Sequence, residues 1–428
     1  MANWCRWWLV AVVLVLARSH AFADAVPPTP ASGSGTPQTE TVPRTEPVVD
    51  GEYPKIYLVT MGIGSLIWER HGHIALCVEY GEHQEPVCYN YGIGDFHDPL
   101  KMVWGFFRGA NSFWAGKDTW RNMMWVYYQF DRTIWKQLLP LNADQKQKVL
   151  VKLEHDILEE NRYYAYDHFD DNCTTRIRNI IDDVTGGALS SMPDKTDGRT
   201  YRDYARDGFA GMRIPLLGTD VAMGRSTDRV PTYYERMFLP QYLREAVATK
   251  FNVQPIAVYV RKQCAAEYHD ARAAGREPDR DCVERGIPTV PDPPSGRVIL
   301  ALCLLAATAP VWLTRLWGRL QRTGLAIAVV PYVLLGSIFL FLAIISPLPY
   351  VEWNETYIVW LPLDAAVLFL RGERQRSYAK GRLIMLGIMI VLMIFHVLKQ
   401  PLWPEMVWPI VPMLAVAFMP EKTAERHK

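Results

Sequence analysis

The sequence predicts a chain in two parts: an exported domain of mixed strands and helices, then a helical membrane domain of about five spans. Three observations predict it. The N-terminus has the pattern of a secretory signal, residues 51–296 alternate between strand-like and helix-like periodicities, and residues 297–428 carry five apolar runs in series. Global averages conceal this division. Half of the 428 residues are hydrophobic and 21% are charged, which excludes a disordered or collagen-like chain. A net charge of +1 gives no reason to expect a nucleic-acid partner. The mean hydropathy of −0.04 alone would suit a soluble protein. Residues 297–428, however, hold 13 Lys or Arg and 7 Asp or Glu, a net +6, which leaves −5 for residues 1–296.

Residues 1–23 read as a signal peptide. Arg6 supplies the positive start, Leu9–Ala17 the apolar run, and Ala21-Phe22-Ala23 the small-residue site before Asp24. No Cys follows the site, so this is not a lipoprotein signal. Residues 24–50 are rich in Pro, Thr, Ser and Gly and read as a disordered tether.

Within the exported domain, Lys55–Thr60 alternates as a strand. His73–Tyr80 and Pro86–Tyr91 flank a turn and predict a hairpin. Asn142 with Gln145 predicts a capping box, followed by a helix over Ala143–Glu160 with Val149, Leu150, Leu153, Ile157 and Leu158 at helical spacing. Thr174–Val184 predicts a helix closed by Gly186-Gly187, and Tyr233–Thr249 a third.

Cys5 leaves with the signal and Cys303 sits in an apolar run. Five cysteines remain in an oxidising compartment. Cys77 and Cys88 face each other across the hairpin and Cys264 and Cys282 flank a polar stretch, so disulfides are expected at both pairs. Cys173 is the odd one out. Asp171 or Asn172 caps its helix, which puts the thiol in the first turn, where the helix dipole and Arg176 favour a thiolate. The imidazole to pair with it is His73, at the start of a predicted strand in His71-Gly72-His73. A Cys at a helix start beside a His on a strand is the arrangement of thiol enzymes.

The apolar runs are Val298–Thr314, Gly324–Ser346, Tyr357–Leu370, Leu383–Leu398 and Trp403–Met419. The second is long enough to cross a bilayer unaided. The others need flanking residues, and Trp353, Trp360, Trp403 and Trp408 fit interfacial belts. Arg315, Arg319 and Arg322 follow the first run, and Arg371, Arg374, Arg376, Lys380 and Arg382 the third. These positive loops belong in the cytoplasm, which leaves residues before Val298 outside and the C-terminus inside. Asp364, mid-span, is expected to make a hydrogen bond between helices to a partner left open; His396 is on the next span but nearer the outer face.

Gly72-His73, Tyr89-Asn90-Tyr91-Gly92 with Asp95-Phe96, and Asn161 to Tyr166 running into Asp171-Asn172-Cys173-Thr174-Thr175-Arg176 together resemble the Lnb N-terminal periplasmic domain family of bacterial lipoprotein N-acyltransferases. The resemblance covers residues 54–184. It implies an α+β domain related to circularly permuted papain/NlpC-like thiol enzymes, within a periplasmic domain spanning 51–296, followed by a five-helix membrane domain at 297–428 in the bacterial inner membrane. Carried over, Cys173 is the nucleophile and His73 the base. The chain has His71 where many relatives place an aromatic or aliphatic residue. Strand alternation sets both histidines on one face, which leaves open which one meets the thiol.

The implied reaction moves a fatty acyl chain to the N-terminal amine of a lipoprotein through a Cys173 thioester, with no cofactor and no metal. Its partners are lipoprotein N-termini, phospholipid acyl chains and the membrane, and the acyl donor is open between the lipoprotein and a phospholipid. The Cys173 N–H is the natural oxyanion donor, with Asn172 or Tyr91 a candidate second donor and capping the simpler role of Asn172. Asp95 is the candidate to orient His73, and Asp167 the next. Tyr91, His71 and Trp104 are candidate substrate contacts, and the cluster around Trp104 serves equally as an acyl groove, an interface anchor or packed core. Three other readings stand beside this one: a periplasmic cysteine hydrolase, a metal site of His71, His73, His168 and Cys173, and a non-catalytic binding module.

Overall fold

The computed structural model describes residues 53–95, 98–209, 212–285 and 296–419. The signal, the tether and the tail after Met419 lie outside the described residues.

The N-terminal part is an α+β domain. Its strands are β1 (Lys55–Met61), β2 (His73–Glu79), β3 (Val87–Gly94), β4 (Phe113–Thr119), β5 (Ile134–Leu138), β6 (Tyr163–Tyr164) and β7 (Ile256–Tyr259). They form one antiparallel sheet in the order β6-β4-β3-β2-β1-β5-β7. The helices interleaved with them are α1 (Pro99–Phe107), α2 (Trp120–Gln129), α3 (Ala143–Asp156), α4 (Cys173–Val184), α5 (Tyr201–Gly208), α6 (Arg213–Ala222) and α7 (Pro240–Phe251). The predicted third helix breaks in two, because Leu239-Pro240 ends a short turn at Tyr233–Arg236 and starts α7.

Strand alternation divides the core. Ile56, Leu58, Ile74, Leu76, Val78, Tyr89 and Tyr91 pack against α3, α4 and α7. Val59, Met61, Ala75, Cys77 and Cys88 face the other way, against Met123 of α2. Asn142 and Gln145 cap α3 reciprocally. Cys77 and Cys88 stand directly opposite each other and form a disulfide, and Cys264–Cys282 forms the second.

A helical region follows. Gly296–Trp317, formed by α8 (Gly296–Ala307) and α9 (Ala309–Trp317), is the first of three candidate membrane spans; α10 (Gln321–Ile345) and α11 (Gly372–Ile394) are the others. A shorter apolar helix, α12 (Trp403–Phe418), packs against α8 and α11. Three long helices and a short one replace the expected five. The run Tyr357–Leu370 is not one helix: it breaks into short turns at Thr356–Val359, Pro362–Ala365 and Ala366–Phe369, packed on α10. Pro362 lacks the N–H that a continuous helix needs there.

Trp360 and Trp408 do not form belts. Both are buried, 5.5 Å apart edge to face, while Trp353 and Trp403 are exposed. Asp364 pairs with Arg382, not with His396. The Arg382 Nε lies 3.0 Å from both carboxylate oxygens, and the Tyr332 and Tyr378 hydroxyls donate to the same group. Arg382 therefore belongs to the buried bundle and leaves the positive loop, where Arg371, Arg374, Arg376 and Lys380 remain.

Candidate active site

Cys173 is the first residue of α4. Asn172 caps the helix: its Oδ1 accepts from Thr174 N at 2.7 Å and Thr175 N at 2.9 Å. Its amide donates to His168 O and Phe238 O at 2.7 and 3.0 Å. Both donors are committed, so Asn172 positions the thiol and has no hydrogen to offer an oxyanion. Arg176 is committed too, held bidentate by Asp171 at 2.6 and 2.8 Å. The expected push of Arg176 toward a thiolate is thereby neutralised. Burial instead drives the thiol up to about 11, opposed by hydrogen bonds from the Thr174 hydroxyl and from the backbone at Thr174, Ile74 and Cys173. Thr174 N–H is held by Asn172 Oδ1, so the N–H groups of Cys173 and Ile74, at the start of a helix and of a strand, are the candidate donors to a developing oxyanion.

Gly72 separates the two histidines. It sits at φ +78°, where a Cβ would fall 2.8 Å from Met61 O, so glycine is required. Alternation begins only at His73, and the rings part. His71 Nε2 meets Ala205 O at 3.1 Å and its ring packs edge to face on His168 at 4.5 Å. His73 Nε2 meets Asn90 Oδ1 at 3.2 Å, and its ring stacks near Tyr127. Asn90 Nδ2 donates to Cys88 O at 3.4 Å, which turns its Oδ1 toward His73. An oxygen there accepts, so Nε2 carries the proton and Nδ1 keeps the lone pair. Burial, then the Arg132 charge, pushes His73 down to about 4, with Asn90 opposing. Burial also pushes His71 down to about 4. At neutral pH the thiol and both imidazoles are uncharged.

Cys173 packs on the Ile74 face of the sheet, whereas His73 and Asn90 share the face of Ala75 and Cys88. Cys173 and His73 line the same cavity at the ends of these strands. The register carries Gly92 opposite His73, after which β3 shifts register, and Gly92 has no side chain to fill the gap. A Cβ on Gly92 would lie 3.6 Å from that of Cys173. Tyr127, Tyr164 and Tyr166 surround the thiol. Burial first, and a negative charge on Cys173 among the further causes, raises all three phenols.

Cys173, His73, Gly92, His71 and His168 all open onto one cavity of about 560 Å³. Its walls are mostly apolar and include Phe106 and Phe107 of α1 and Tyr350 and Val351 from the segment after α10. Other sequence candidates lie elsewhere. Asp95 is exposed past the end of β3, and Asn90 occupies the place expected for it. Asp167 closes a turn by accepting from Phe169 N and Asp170 N. Tyr91 is core and donates to Asp156 at 2.9 Å. Trp104 is outside the cavity, stacked on Phe341 of α10. Among the described residues no three His, Cys, Asp or Glu side chains converge as a metal site.

Asn90 escaped the sequence reading, though a signal existed. A Cys77–Cys88 disulfide fixes the hairpin register, which puts Asn90 opposite Ala75 and diagonal to His73 on the same face.

A helix-start thiol and a strand-start imidazole bonded to an amide oxygen thus share one cavity. Residues 45–205 match the Lnb N-terminal periplasmic domain, and the chain carries that domain there. Comparison with curated proteins finds no match, and comparison with solved structures finds none.

Two results are expected from this geometry. Iodoacetamide labelling of Cys173 rises about tenfold per pH unit from pH 7 to 10, because a thiol near 11 is about one part in 10,000 thiolate at pH 7. A plateau by pH 8 would show a thiolate already stabilised. Asn90→Ala lowers any Cys173-dependent turnover about 10- to 100-fold through loss of ring orientation, while Asn90→Gln restores part of it. An unchanged rate in Asn90→Ala removes the orienting role.

Proposed function

We propose that the chain is a membrane-bound thiol acyltransferase that moves a fatty acyl chain to the N-terminal amine of lipoproteins. The observation that carries this reading is the shared cavity: Cys173 and His73 open onto an apolar chamber whose far wall, at Tyr350 and Val351, belongs to the segment joining the candidate spans. An acyl chain suits such walls, and a polar glycan or peptide does not.

In the first step His73 takes the Cys173 proton as sulfur attacks the ester carbonyl of a lipid. The carbon–sulfur bond forms, the carbon–oxygen bond breaks, and the alcohol leaves with the proton returned by His73. In the second step the free amine attacks the thioester. The carbon–nitrogen bond forms, the carbon–sulfur bond breaks, and one amine proton passes through His73 to the sulfur. The N–H groups of Ile74 and Cys173 serve the oxyanion in both steps.

Neutral resting groups imply that deprotonation accompanies attack. His73 stays a base down to about pH 4. Its pKa is lowered, so the rate is lost only as pH falls through that value, and a pH–rate profile with its acid limb near 6.5 would contradict this. Arg319 and Arg322, after the first candidate span, support an exported location for residues 51–296.

Mass spectrometry of lipoprotein N-termini, from cells with and without the protein, tests the function. An N-acylated terminus that disappears with the protein supports it. Unchanged termini together with altered cell-wall peptides would favour the cysteine hydrolase.

A further inference from the structure

We propose that the Cys173 cavity opens sideways into the leaflet facing the exported domain, between α1 and the Ile67–Glu69 turn, and that an acyl chain of a bilayer phospholipid enters there. This deepens the acyltransferase reading and rests on it for the fate of the chain.

The mouth is built from two elements. Met102 and Val103 of α1 and Ile67 and Trp68 of the turn line the cavity from opposite sides. Both elements turn large apolar side chains outward. Ile67 is 54% and Leu100 72% exposed, and Trp68, Val103 and Trp104 are exposed beside them. In water such exposed apolar surface around a cavity costs solvation free energy.

The membrane region places this patch at a bilayer surface. Trp104 stacks on Phe341 with ring centres 6.2 Å apart and planes 10° apart. Phe341 is in the last turn of α10, a candidate span of 25 residues, which at 1.5 Å per residue is about 37 Å long and so exceeds a hydrocarbon core of about 30 Å. Contact with its final turn therefore sets α1 at the interface. Phe106 and Phe107 join Leu342 and Tyr350 in one cluster, and Gly109 lies so close to Pro347 that a Cβ would fall 2.5 Å from its ring. Contacts from Trp104, Phe106 and Phe107 within α1 and from Gly109 just after it thus hold α1 against the end of α10.

The charge pattern selects the lipid. Lys101 and Arg108 are exposed on and just after α1, and the Arg108 guanidinium lies 5.8 Å over the Trp104 ring. A helix with aromatic and aliphatic residues beside Lys and Arg is the composition of an interfacial helix under phosphate headgroups. A diacylglyceryl-modified peptide carries no phosphate for these cations.

The full chain in nanodiscs holding a phospholipid with a diazirine near the end of one acyl chain is the test. After irradiation, peptide mapping should place adducts on residues 67–68 and 100–104 and on the cavity wall at Phe106 or Phe209. Val103→Trp should lose the cavity-wall adducts and keep those on α10 and α11. Adducts confined to α8–α12 would overturn the proposal, as would stronger cavity labelling by a phosphate-free diacylglyceryl peptide bearing the same diazirine. The readout needs no turnover. Cavity adducts with unacylated lipoprotein N-termini would retire the transferase and leave the lipid entrance standing, and the converse would retire the entrance alone.

Discussion

Replacing Cys173 with Ala is expected to abolish the proposed acyl transfer, a loss of at least about 10⁴-fold, because Cys173 is the one thiol among the residues lining the cavity. The fold survives. Cys173 is one small buried side chain at the edge of the core, and the N-cap network of Asn172 does not involve the sulfur. Thermal unfolding should shift by no more than the few degrees expected of about 1 kcal/mol. Cys173→Ser is informative beside it, since a hydroxyl keeps the shape with a poorer nucleophile. Retention of lipoprotein acylation in Cys173→Ala, measured in a folded sample, would exclude the thioester route.

The second large effect is on stability. Asp364→Ala strands the Arg382 guanidinium inside the bundle, where it is 2% exposed, and leaves the Tyr332 and Tyr378 hydroxyls without their acceptor. Breaking a buried pair on one side costs about 3–5 kcal/mol. The double replacement Asp364→Leu with Arg382→Met removes both charges and should recover most of that loss. The double variant loses the two Arg382 contacts to Ile358 O and Val359 O and still leaves both tyrosine hydroxyls without Asp364, so recovery stops short of complete. Melting of the purified protein reports the order: wild type, double variant, single variant. A single variant as stable as the wild type would mean that the pair contributes nothing to the bundle.

Much of the exported fold was legible because its signals are local. Lys55–Thr60 and the hairpin around Gly81 alternate cleanly, Asn142 and Gln145 cap α3, and the cysteine count isolates Cys173. What escaped depended on single backbone angles or distant contacts. Gly72 in a left-handed conformation sends His71 and His73 apart, and alternation applied through it predicts the opposite. The sequence offers Asp95, then Asp167, to orient His73, whereas the sheet register puts the Asn90 amide on the face of His73. Tyr91 lies on a motif but faces the α3 side of the sheet, so motif membership did not make it a cavity residue. The third apolar run had the length of a short span, yet Pro362 and the buried acid at Asp364 break it. Arg382 was counted with the loop charges because composition cannot tell a buried arginine from an exposed one. Tyr378 and Arg382 are four apart on one face of α11, and both reach Asp364.

The central claim is a covalent acyl group on Cys173, and the most direct measurement is intact mass of the full chain after incubation with phospholipid and no acceptor amine. The account predicts a mass increase of one fatty acyl group, mapped to the peptide containing Cys173, absent from Cys173→Ala and discharged by an added lipoprotein amine with formation of its amide. Acyl transfer to that amine without any adduct on Cys173, or with the adduct on another residue, would contradict it.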